Sequence, residues 1–250
     1  PLLVQAAGGN TSLKDAGVMW IKASGTWLKD ATARDIFVPL DHAAIIAALA
    51  KNDPACESCT SFVRTDLNST GLRPSIETTV HALMPQRVVV HVHCVNTIAW
   101  AIRADGEQRL AEKLKGFDWA FIPYARPGLP LAGAIAARMR PGVNVLVLGN
   151  HGLAVAADSV EDAEALLDKV VAAVTRPVRA ASKVDRAALE KLGRRPLLVS
   201  AASVNCETSR SPPGVPLPST NDAPTRRDTA PGTTFPTYPP HVRYTRNTVP

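Results

Sequence analysis

The stretch VVVHVHC, residues 88–94, places two histidines one residue apart within a run of valines. Side chains at positions i and i+2 of a strand project from the same face, so His91 and His93 are expected to stand side by side. Two buried imidazoles without partners would cost about 1–3 kcal/mol each. A divalent metal would remove that cost by accepting a lone pair from each ring, and imidazole is a common zinc ligand. The spacing alone leaves open both a metal site and an ordinary pair of buried histidines.

A third histidine and a carboxylate extend this pattern. His151 follows a second buried strand and lies in the glycine-flanked turn LGNHGL, residues 148–153. Three histidines with an open fourth position are what a catalytic zinc site requires. Glu77 lies near the start of a predicted helix, where a carboxylate could act as a fourth ligand, a general base or both. The plainer interpretations are a turn histidine and a carboxylate that complements the helix dipole.

Two glycine-containing turns could bind an anion. GGNTS, residues 8–12, combines successive glycine amides with Asn and Thr side chains, a composition that can cradle a phosphate. KASGT, residues 22–26, provides a lysine, a serine and a glycine at the end of a strand. GGNTS lacks the GK[ST] of a P-loop and the spacing of a dinucleotide fingerprint, so nucleotide binding is not indicated. Each stretch taken alone is also compatible with a plain turn.

Strands and helices must bring these residues together, and the sequence predicts both in alternation. Strands are predicted over 18–25, 35–41, 143–150 and the VVVHVHC run, and helices over 41–52, 73–85 and 159–176, with further helical pieces in NTIAWAIRAD and EQRLAEKLKG. The helix over 73–85 is expected to begin at a Ser75 cap and to end before Pro85. This pattern predicts an α/β domain with one central sheet, and the alternation by itself favours a parallel sheet.

The overall composition is that of a soluble globular protein. The 250 residues are 46% hydrophobic and 20% charged, and no uncharged apolar run approaches the roughly 18 residues that span a bilayer. The four cysteines are too few for a disulfide framework in a chain this long, which favours a reducing cytoplasm. Cys56 and Cys59 have C-x-x-C spacing without a second pair, so a loop is favoured over a zinc or redox site.

The net charge of +6 is located in the C-terminal part of the chain. Residues 1–175 contain 16 Lys and Arg against 17 Asp and Glu, whereas residues 176–250 contain 12 against 5. The main domain therefore has no electrostatic footprint for DNA or RNA. Residues 212–250 contain 10 of the 21 prolines, with Ser, Thr and Arg between them, and this composition predicts an irregular or disordered tail. A basic tail that contacts an anionic partner is the alternative.

Five motifs together resemble a known family. GGNTS, KASGT, RPSIE, HVH and LGNHGL, in this order and spacing, resemble those of the class II aldolase/adducin superfamily over roughly residues 3–175. The versions WIKASGTWLKDA and FIPYARPGLPLA are similar to the branch related to rhamnulose-phosphate aldolases, which are zinc-dependent sugar-phosphate aldolases. The resemblance implies a single three-layer α/β/α domain whose central sheet is largely antiparallel. It also implies a homotetramer with the zinc site near a subunit interface.

The resemblance assigns roles to individual residues. The zinc ligands of the family fall on His91, His93 and His151. Its acid/base glutamate falls on Glu77. The implied phosphate pocket comprises Gly9, Asn10, Ser24, Gly25 and Ser75, with Thr11 and Lys22 as neighbours. Tyr124 and Gly128 lie in a stretch similar to the family's PYA-x-x-G and have no assigned role. His81 is expected to support the site by hydrogen bonding rather than to bind the metal.

The predicted function is the zinc-dependent retro-aldol cleavage of a ketose phosphate in carbohydrate metabolism. Cleavage beside the carbonyl leaves an enediolate, whose charge a metal held by neutral imidazoles would spread over two oxygens. Glu77 would move the proton on and off the enediolate carbon. The predicted cofactor is Zn2+ or another divalent metal, and the predicted partner is a small-molecule sugar phosphate rather than nucleic acid or membrane.

Other functions remain compatible with the sequence. A sugar-phosphate epimerase, dehydratase or decarboxylase would share the three histidines, although epimerases of the family usually carry aspartate where Glu77 stands. An adducin-like member would be a non-catalytic scaffold, but such members lack the metal ligands that are present here. A third alternative is a protein that interacts through its basic tail.

The domain boundaries follow from the extent of the resemblance. We expect residues 1–192 to form the class II aldolase/adducin-like domain, without the family's leading helix, and residues 193–250 to form the tail. Family aldolases also draw a C-terminal residue into the site, and this tail offers no counterpart. The substrate and the activity of the chain as it stands therefore stay open.

Overall fold

The computed structural model describes residues 3–177 together with positions 185 and 190. The predicted tail over 193–250 lies outside the described residues. A seven-stranded sheet forms the centre of the domain, and its strands are β1 Asn10–Asp15, β2 Val18–Lys22, β3 Phe37–Asp41, β4 Val88–Val92, β5 Trp119–Ile122, β6 Val145–Leu148 and β7 Gly152–Ala157. The β-branched run around the histidines is thus a strand, as the sequence predicts.

The sheet is mostly antiparallel, and the expectation from alternation alone of a parallel sheet is wrong. The strand order is β3-β2-β1-β4-β7-β6-β5, and within the described chain only β5 and β6 pair in parallel. Short turns between consecutive strands explain why those strands pair in antiparallel directions. Ala16 and Gly17 both have positive φ between β1 and β2, the backbone that a tight two-residue hairpin requires. A turn over residues 149–151 likewise joins β6 directly to antiparallel β7.

Six helices pack around the sheet in the described part of the chain. They are α1 His42–Leu49, α2 Thr78–Leu83, α3 Val95–Ala101, α4 Gly106–Lys113, α5 Leu129–Ala136 and α6 Val160–Val174. The Asp41 side chain caps α1 and the Ser159 side chain caps α6, because each accepts a hydrogen bond from a first-turn amide. The expected Ser75 cap of the second helix is wrong. Glu77 occupies the residue before α2, and the Ser75 hydroxyl instead accepts from the Glu77 amide.

Helices cover both faces of the sheet because alternate strand residues point to opposite sides. One cluster joins the sheet to α2 and α5 through Val89, Leu146, Leu148, Ala154 and Ala156 with Val80, Met84, Leu131 and Ile135. The other joins it to α3, α4 and α6 through Val92, Val145, Val147, Leu153 and Val155 with Ala101, Leu110, Val170 and Val174. The three-layer α/β/α domain with a largely antiparallel sheet is therefore confirmed. No helix among the described residues is long and apolar enough to cross a membrane.

Candidate metal centre

Three histidines and one glutamate from separate segments of the chain lie together in the fold. His91 lies in β4 and His93 directly follows the end of that strand. His151 lies in the turn between β6 and β7, and Glu77 immediately precedes α2. His91 pairs with Ala154 of β7, which sets the turn that carries His151 beside the end of β4. The site is thus built by strand register rather than by proximity along the chain.

The potential metal-binding atoms face a common point. The ring centroids of the three imidazoles are 5.0 to 5.4 Å apart. Glu77 Oε1 lies 2.7 Å from His151 Nε2 and 3.1 Å from His91 Nε2. One ligand atom from each of the four residues lies within 4.8 Å of all the others. Such mutual distances allow three nitrogens and one oxygen to share a single ion.

Three buried polar atoms of this cluster lack hydrogen-bond partners in the described part of the chain. Glu77 Oε1, His91 Nε2 and His93 Nε2 are inaccessible to solvent and make no hydrogen bond among the described residues. His91 Nδ1 donates to the Leu153 carbonyl at 3.1 Å, which leaves the Nε2 lone pair of the neutral ring aimed at the cluster. Unpaired buried polar groups are costly, and a bound cation would satisfy all three. The cluster therefore could hold a divalent metal, and its nitrogen-rich donor set suits zinc.

The electrostatics of the cluster favour an anionic Glu77 carboxylate and a neutral His93 imidazole. Burial by itself would raise the pKa of Glu77, but the neighbouring His91 and His151 outweigh it and hold that pKa well below its usual range. Burial lowers the pKa of His93, and the proximity of His91 lowers it further. A neutral imidazole and an ionised carboxylate are the protonation states in which these side chains bind metals.

Two glycines allow the histidines to approach the backbone closely. A Cβ atom on Gly8 would lie 2.8 Å from His93 Nδ1. A Cβ atom on Gly152 would lie 2.6 Å from the Val92 carbonyl oxygen and 3.1 Å from the His91 ring. Neither glycine was anticipated as a site residue, although the glycine-flanked turn around His151 was the signal that could have identified Gly152.

Gly152→Ala is expected to weaken zinc binding and to lower the free energy of unfolding by about 1–3 kcal/mol, since the added methyl group overpacks the β4–β7 contact. Gly133→Ala is the matched control, because a Cβ atom at Gly133 meets nothing within 4 Å. Zinc titration and denaturant unfolding of both variants would measure the two effects. Wild-type zinc affinity in Gly152→Ala would show that the close approach does not shape the cluster.

The structure brings the three segments of the predicted phosphate pocket together. The Lys22 ammonium donates to the carbonyls of Ala7 at 3.1 Å and Thr26 at 2.8 Å, which ties the first glycine turn to the second. The Ser24 amide donates to the Arg73 carbonyl at 3.0 Å, which ties the second turn to the segment before Ser75. Ser24 and Gly25 are exposed, and Gly25 has a positive φ of 75°.

Lys22 itself is a buried clamp between these turns. The residue is 2% exposed, and its ammonium also approaches the Ala23 carbonyl at 3.4 Å. Burial lowers the pKa of Lys22, and the negative charge of Glu77 opposes that shift. Its three protons are thus directed at backbone oxygens, and a direct contact with phosphate stays a prediction.

Of the remaining predicted pocket residues, Asn10 and Gly9 adjoin residues of the cluster, whereas Thr11 faces the opposite side of the sheet. Asn10 pairs with His91, and its amide nitrogen donates to Glu77 Oε2 at 2.6 Å and to Ser75 Oγ at 3.2 Å. Gly9 has a positive φ of 69° beside the His91 carbonyl. Thr11 pairs with Val90, a residue that packs on the α3, α4 and α6 side, so its side chain lies on the opposite face from Asn10. Their roles in phosphate binding stay predictions.

Several residues that the sequence singled out are not part of the cluster. Cys56 and Cys59 are buried, and the Cys59 thiol donates to the Cys56 carbonyl. Burial raises the pKa of Cys59 to about 12, which fits a structural thiol rather than a metal or redox site. Tyr124 is 65% exposed, and Gly128 precedes α5 with a φ of 101°.

Comparison with known proteins identifies the family. The family model for the class II aldolase and adducin N-terminal domain matches residues 2–175. The chain belongs to this family. A curated relative, the uncharacterized oxidoreductase YuxG of Bacillus subtilis, is 33% identical over an alignment of 160 residues that covers 58% of this chain and 23% of that protein. The chain therefore spans under a quarter of the length of YuxG, and the oxidoreductase activity in that name refers to the whole YuxG protein.

Solved structures show the same fold. The N-terminal class II aldolase domain of a conserved protein from Thermoplasma acidophilum has a TM-score of 0.58 and 25% sequence identity, with 68% of this chain and 84% of that chain covered. An aldolase II superfamily protein from Pseudomonas syringae has a TM-score of 0.51 and 18% identity, with 80% and 82% covered. The resemblance to the rhamnulose-phosphate aldolase branch stays a prediction.

Proposed function

We propose that this chain is a metal-dependent class II aldolase that cleaves a ketose phosphate. The observation that carries the proposal is the convergence of Glu77 and three imidazoles with buried polar atoms that lack hydrogen-bond partners. A member of the family that served only as a scaffold would have no need for such a costly cluster. The same observation therefore disfavours a non-catalytic, adducin-like role.

The metal ligands in this proposal are His91, His93 and His151, with Glu77 beside them. A divalent ion bound there would supply Lewis-acid stabilisation of negative charge on substrate oxygens. The hydrogen bond from His91 Nδ1 to the Leu153 carbonyl fixes the orientation of that ring. We propose zinc because the donor set is rich in imidazole, although another divalent metal would suit the same residues.

Glu77 is the proposed acid/base group. It is 7% exposed, so little water competes with the substrate for this group, and an ionised carboxylate can accept a proton from a substrate carbon. In the synthesis direction the carboxylate would take a proton from the substrate carbon that forms the new bond, and in the cleavage direction the protonated carboxyl group would return a proton to that carbon. A glutamate rather than an aspartate at this position favours an aldolase over a family epimerase, while a dehydratase or decarboxylase remains the alternative.

The proposed phosphate site lies where the two glycine turns meet the Ser75 segment. The exposed Ser24 would offer its hydroxyl and Gly25 its backbone amide to the anion, and the Lys22 clamp would keep the turns in place. Binding a phosphate remote from the reacting carbon would orient the substrate for reaction. A homotetramer in the cytoplasm is the proposed state of the protein.

Metal analysis followed by a panel of ketose 1-phosphates tests this function. We expect about one divalent ion per chain and aldehyde plus dihydroxyacetone phosphate as products, with loss of cleavage in chelator and recovery with zinc. Parallel assays with the unphosphorylated ketoses measure how much the phosphate contributes. Natively folded protein that cleaves the substrates equally well without metal would contradict the proposal.

A further inference from the structure

A buried chain of polar side chains leads from the domain interior to Glu77. Ser12 Oγ lies 2.8 Å from His81 Nδ1, and His81 Nε2 contacts Asn10 Oδ1. Asn10 Nδ2 lies 2.6 Å from Glu77 Oε2. All four residues are at most 7% exposed, so protein atoms rather than bulk water determine how each polar group is satisfied.

The hydrogen bonds of this chain run in one direction. An ionised carboxylate only accepts, so the Asn10 amide must present its NH2 group to Glu77 and its oxygen to His81. An amide oxygen also only accepts, so His81 must carry its proton on Nε2. Burial lowers the pKa of His81 to about 3, and the ring is therefore neutral at ordinary pH. His81 Nδ1 then accepts from the Ser12 hydroxyl, which completes the sequence of donors.

The two oxygens of Glu77 consequently have different environments. Oε2 accepts the hydrogen bond from Asn10, whereas Oε1 faces His91 and His151 and makes no hydrogen bond among the described residues. The Ser75 hydroxyl accepts from both the Glu77 amide and Asn10 Nδ2, each at 3.2 Å, so it links the Glu77 backbone to the amide group that binds Oε2. The carboxylate cannot rotate without breaking a charge-assisted hydrogen bond.

We propose that Ser12, His81 and Asn10 are positioning residues that direct Glu77 Oε1, and not Oε2, to exchange the proton with the substrate. This inference rests on the proposed function and adds to it which oxygen reacts and what holds it. Oε1 forms its O–H bond as the substrate C–H bond breaks, and the electron pair of that bond stays on the substrate. The reverse step returns the proton from Oε1 to the carbon.

Two substitutions of His81 separate positioning from general packing. The amide nitrogen of Gln can reach the position of His81 Nε2, whereas that of Asn can reach only the position of Nδ1. In zinc-loaded full-length protein, we expect H81N to slow hydrogen–deuterium exchange on dihydroxyacetone phosphate by roughly ten- to a hundredfold. The reason is that the buried hydrogen bond to Asn10, which orients the amide that binds Glu77, is lost. H81Q should restore most of that loss, while the zinc content and the KM of both variants stay close to wild type.

The same substitution in the E77Q background tests whether His81 acts through Glu77. We expect H81N to cause no further loss of exchange in that background, because there is then no proton acceptor to position. An equal loss in both backgrounds, or an H81N variant with wild-type exchange, would overturn the inference. If E77Q itself exchanges normally, the proposed function fails instead, so the two failures are distinguishable.

The tautomer of His81 gives a test that does not require activity. Nitrogen chemical shifts of zinc-loaded protein labelled in its histidines should show His81 with a protonated Nε2 and an unprotonated, hydrogen-bonded Nδ1. The loss of that signal in H81Q would assign the signal to His81. A protonated Nδ1 would overturn the inference even if wild-type protein shows no exchange on dihydroxyacetone phosphate, since Asn10 could not then be oriented by His81.

Discussion

Glu77→Gln is expected to lower proton exchange on dihydroxyacetone phosphate by roughly 10²–10⁴-fold while the protein still binds zinc, because an amide cannot accept the proton that a general base removes. The Asn10 contact adds a specific reason for the large effect. Since Asn10 Nδ2 requires an acceptor at the Oε2 position, the amide oxygen of the substituted side chain would occupy that place and its NH2 group would face the imidazoles. The variant therefore loses both the charge and the acceptor at the reacting position.

The metal should remain in this variant because the three imidazole nitrogens are unchanged. We expect the zinc content per chain to be retained with a weaker affinity, measured by competition with a chelator. Glu164→Gln is the matched control, since Glu164 lies on the exposed side of α6. Unchanged exchange in Glu77→Gln would remove Glu77 from the acid/base role, and complete loss of zinc would show instead that its carboxylate is an indispensable ligand.

The sequence was informative about the cluster because the relevant spacing is local. The run VVVHVHC predicts a strand, and its alternation places His91 and His93 on one side; in the structure β4 ends at Val92, yet the His93 ring still lies beside that of His91. His151 could be anticipated because a glycine-flanked turn follows a run of four buried aliphatic residues in β6. Helices α1 and α6 could likewise be predicted, since Asp41 and Ser159 begin apolar periodic segments with side chains that cap the first turn.

The sequence was less informative wherever long-range pairing decides the outcome. The sequence predicts that Asn10 lies in a phosphate-binding turn, whereas in the structure it begins β1, and its pairing with His91 brings its amide to Glu77. The resemblance places Lys22 beside the same pocket, and the sequence places it in a turn that could bind an anion. Its burial against three backbone carbonyls depends on how two turns, 15 residues apart, fold against each other. No local pattern contains that information.

The direction of the sheet illustrates the same limit. Alternating strands and helices favour parallel pairing when each helix crosses over to the next strand. In this chain β4 instead lies between β1 and β7, and both neighbours run antiparallel to it. That position is what allows Asn10 from one side and the His151 turn from the other to meet at the end of β4. The candidate metal cluster therefore depends on strand order. The resemblance to the family predicted a largely antiparallel sheet, but neither it nor the local pattern predicted that order.

His93→Ala is expected to remove zinc binding and, with it, the stabilisation that zinc provides. Loss of a direct ligand should exceed the roughly 10–100-fold effect of losing an outer partner, because one lone pair disappears from the coordination sphere. At a zinc concentration of about 1,000 times the wild-type Kd, linkage predicts about 4 kcal/mol of added stability for wild type and little for the variant. Thermal unfolding with zinc and with chelator measures this difference.

The matched control for His93→Ala is the substitution of a histidine outside the cluster. His42→Ala removes a histidine that lies outside the cluster and contacts the Ala82 carbonyl at 3.0 Å, so the zinc-dependent stabilisation of this variant should remain intact even if its stability without zinc changes. In the metal-free protein, His93→Ala should cost little beyond packing, because His93 Nε2 already lacks a hydrogen-bond partner among the described residues. A His93→Ala variant that gained as much stability from zinc as wild type would mean that the ion binds elsewhere, and the unpaired imidazoles would then need another explanation.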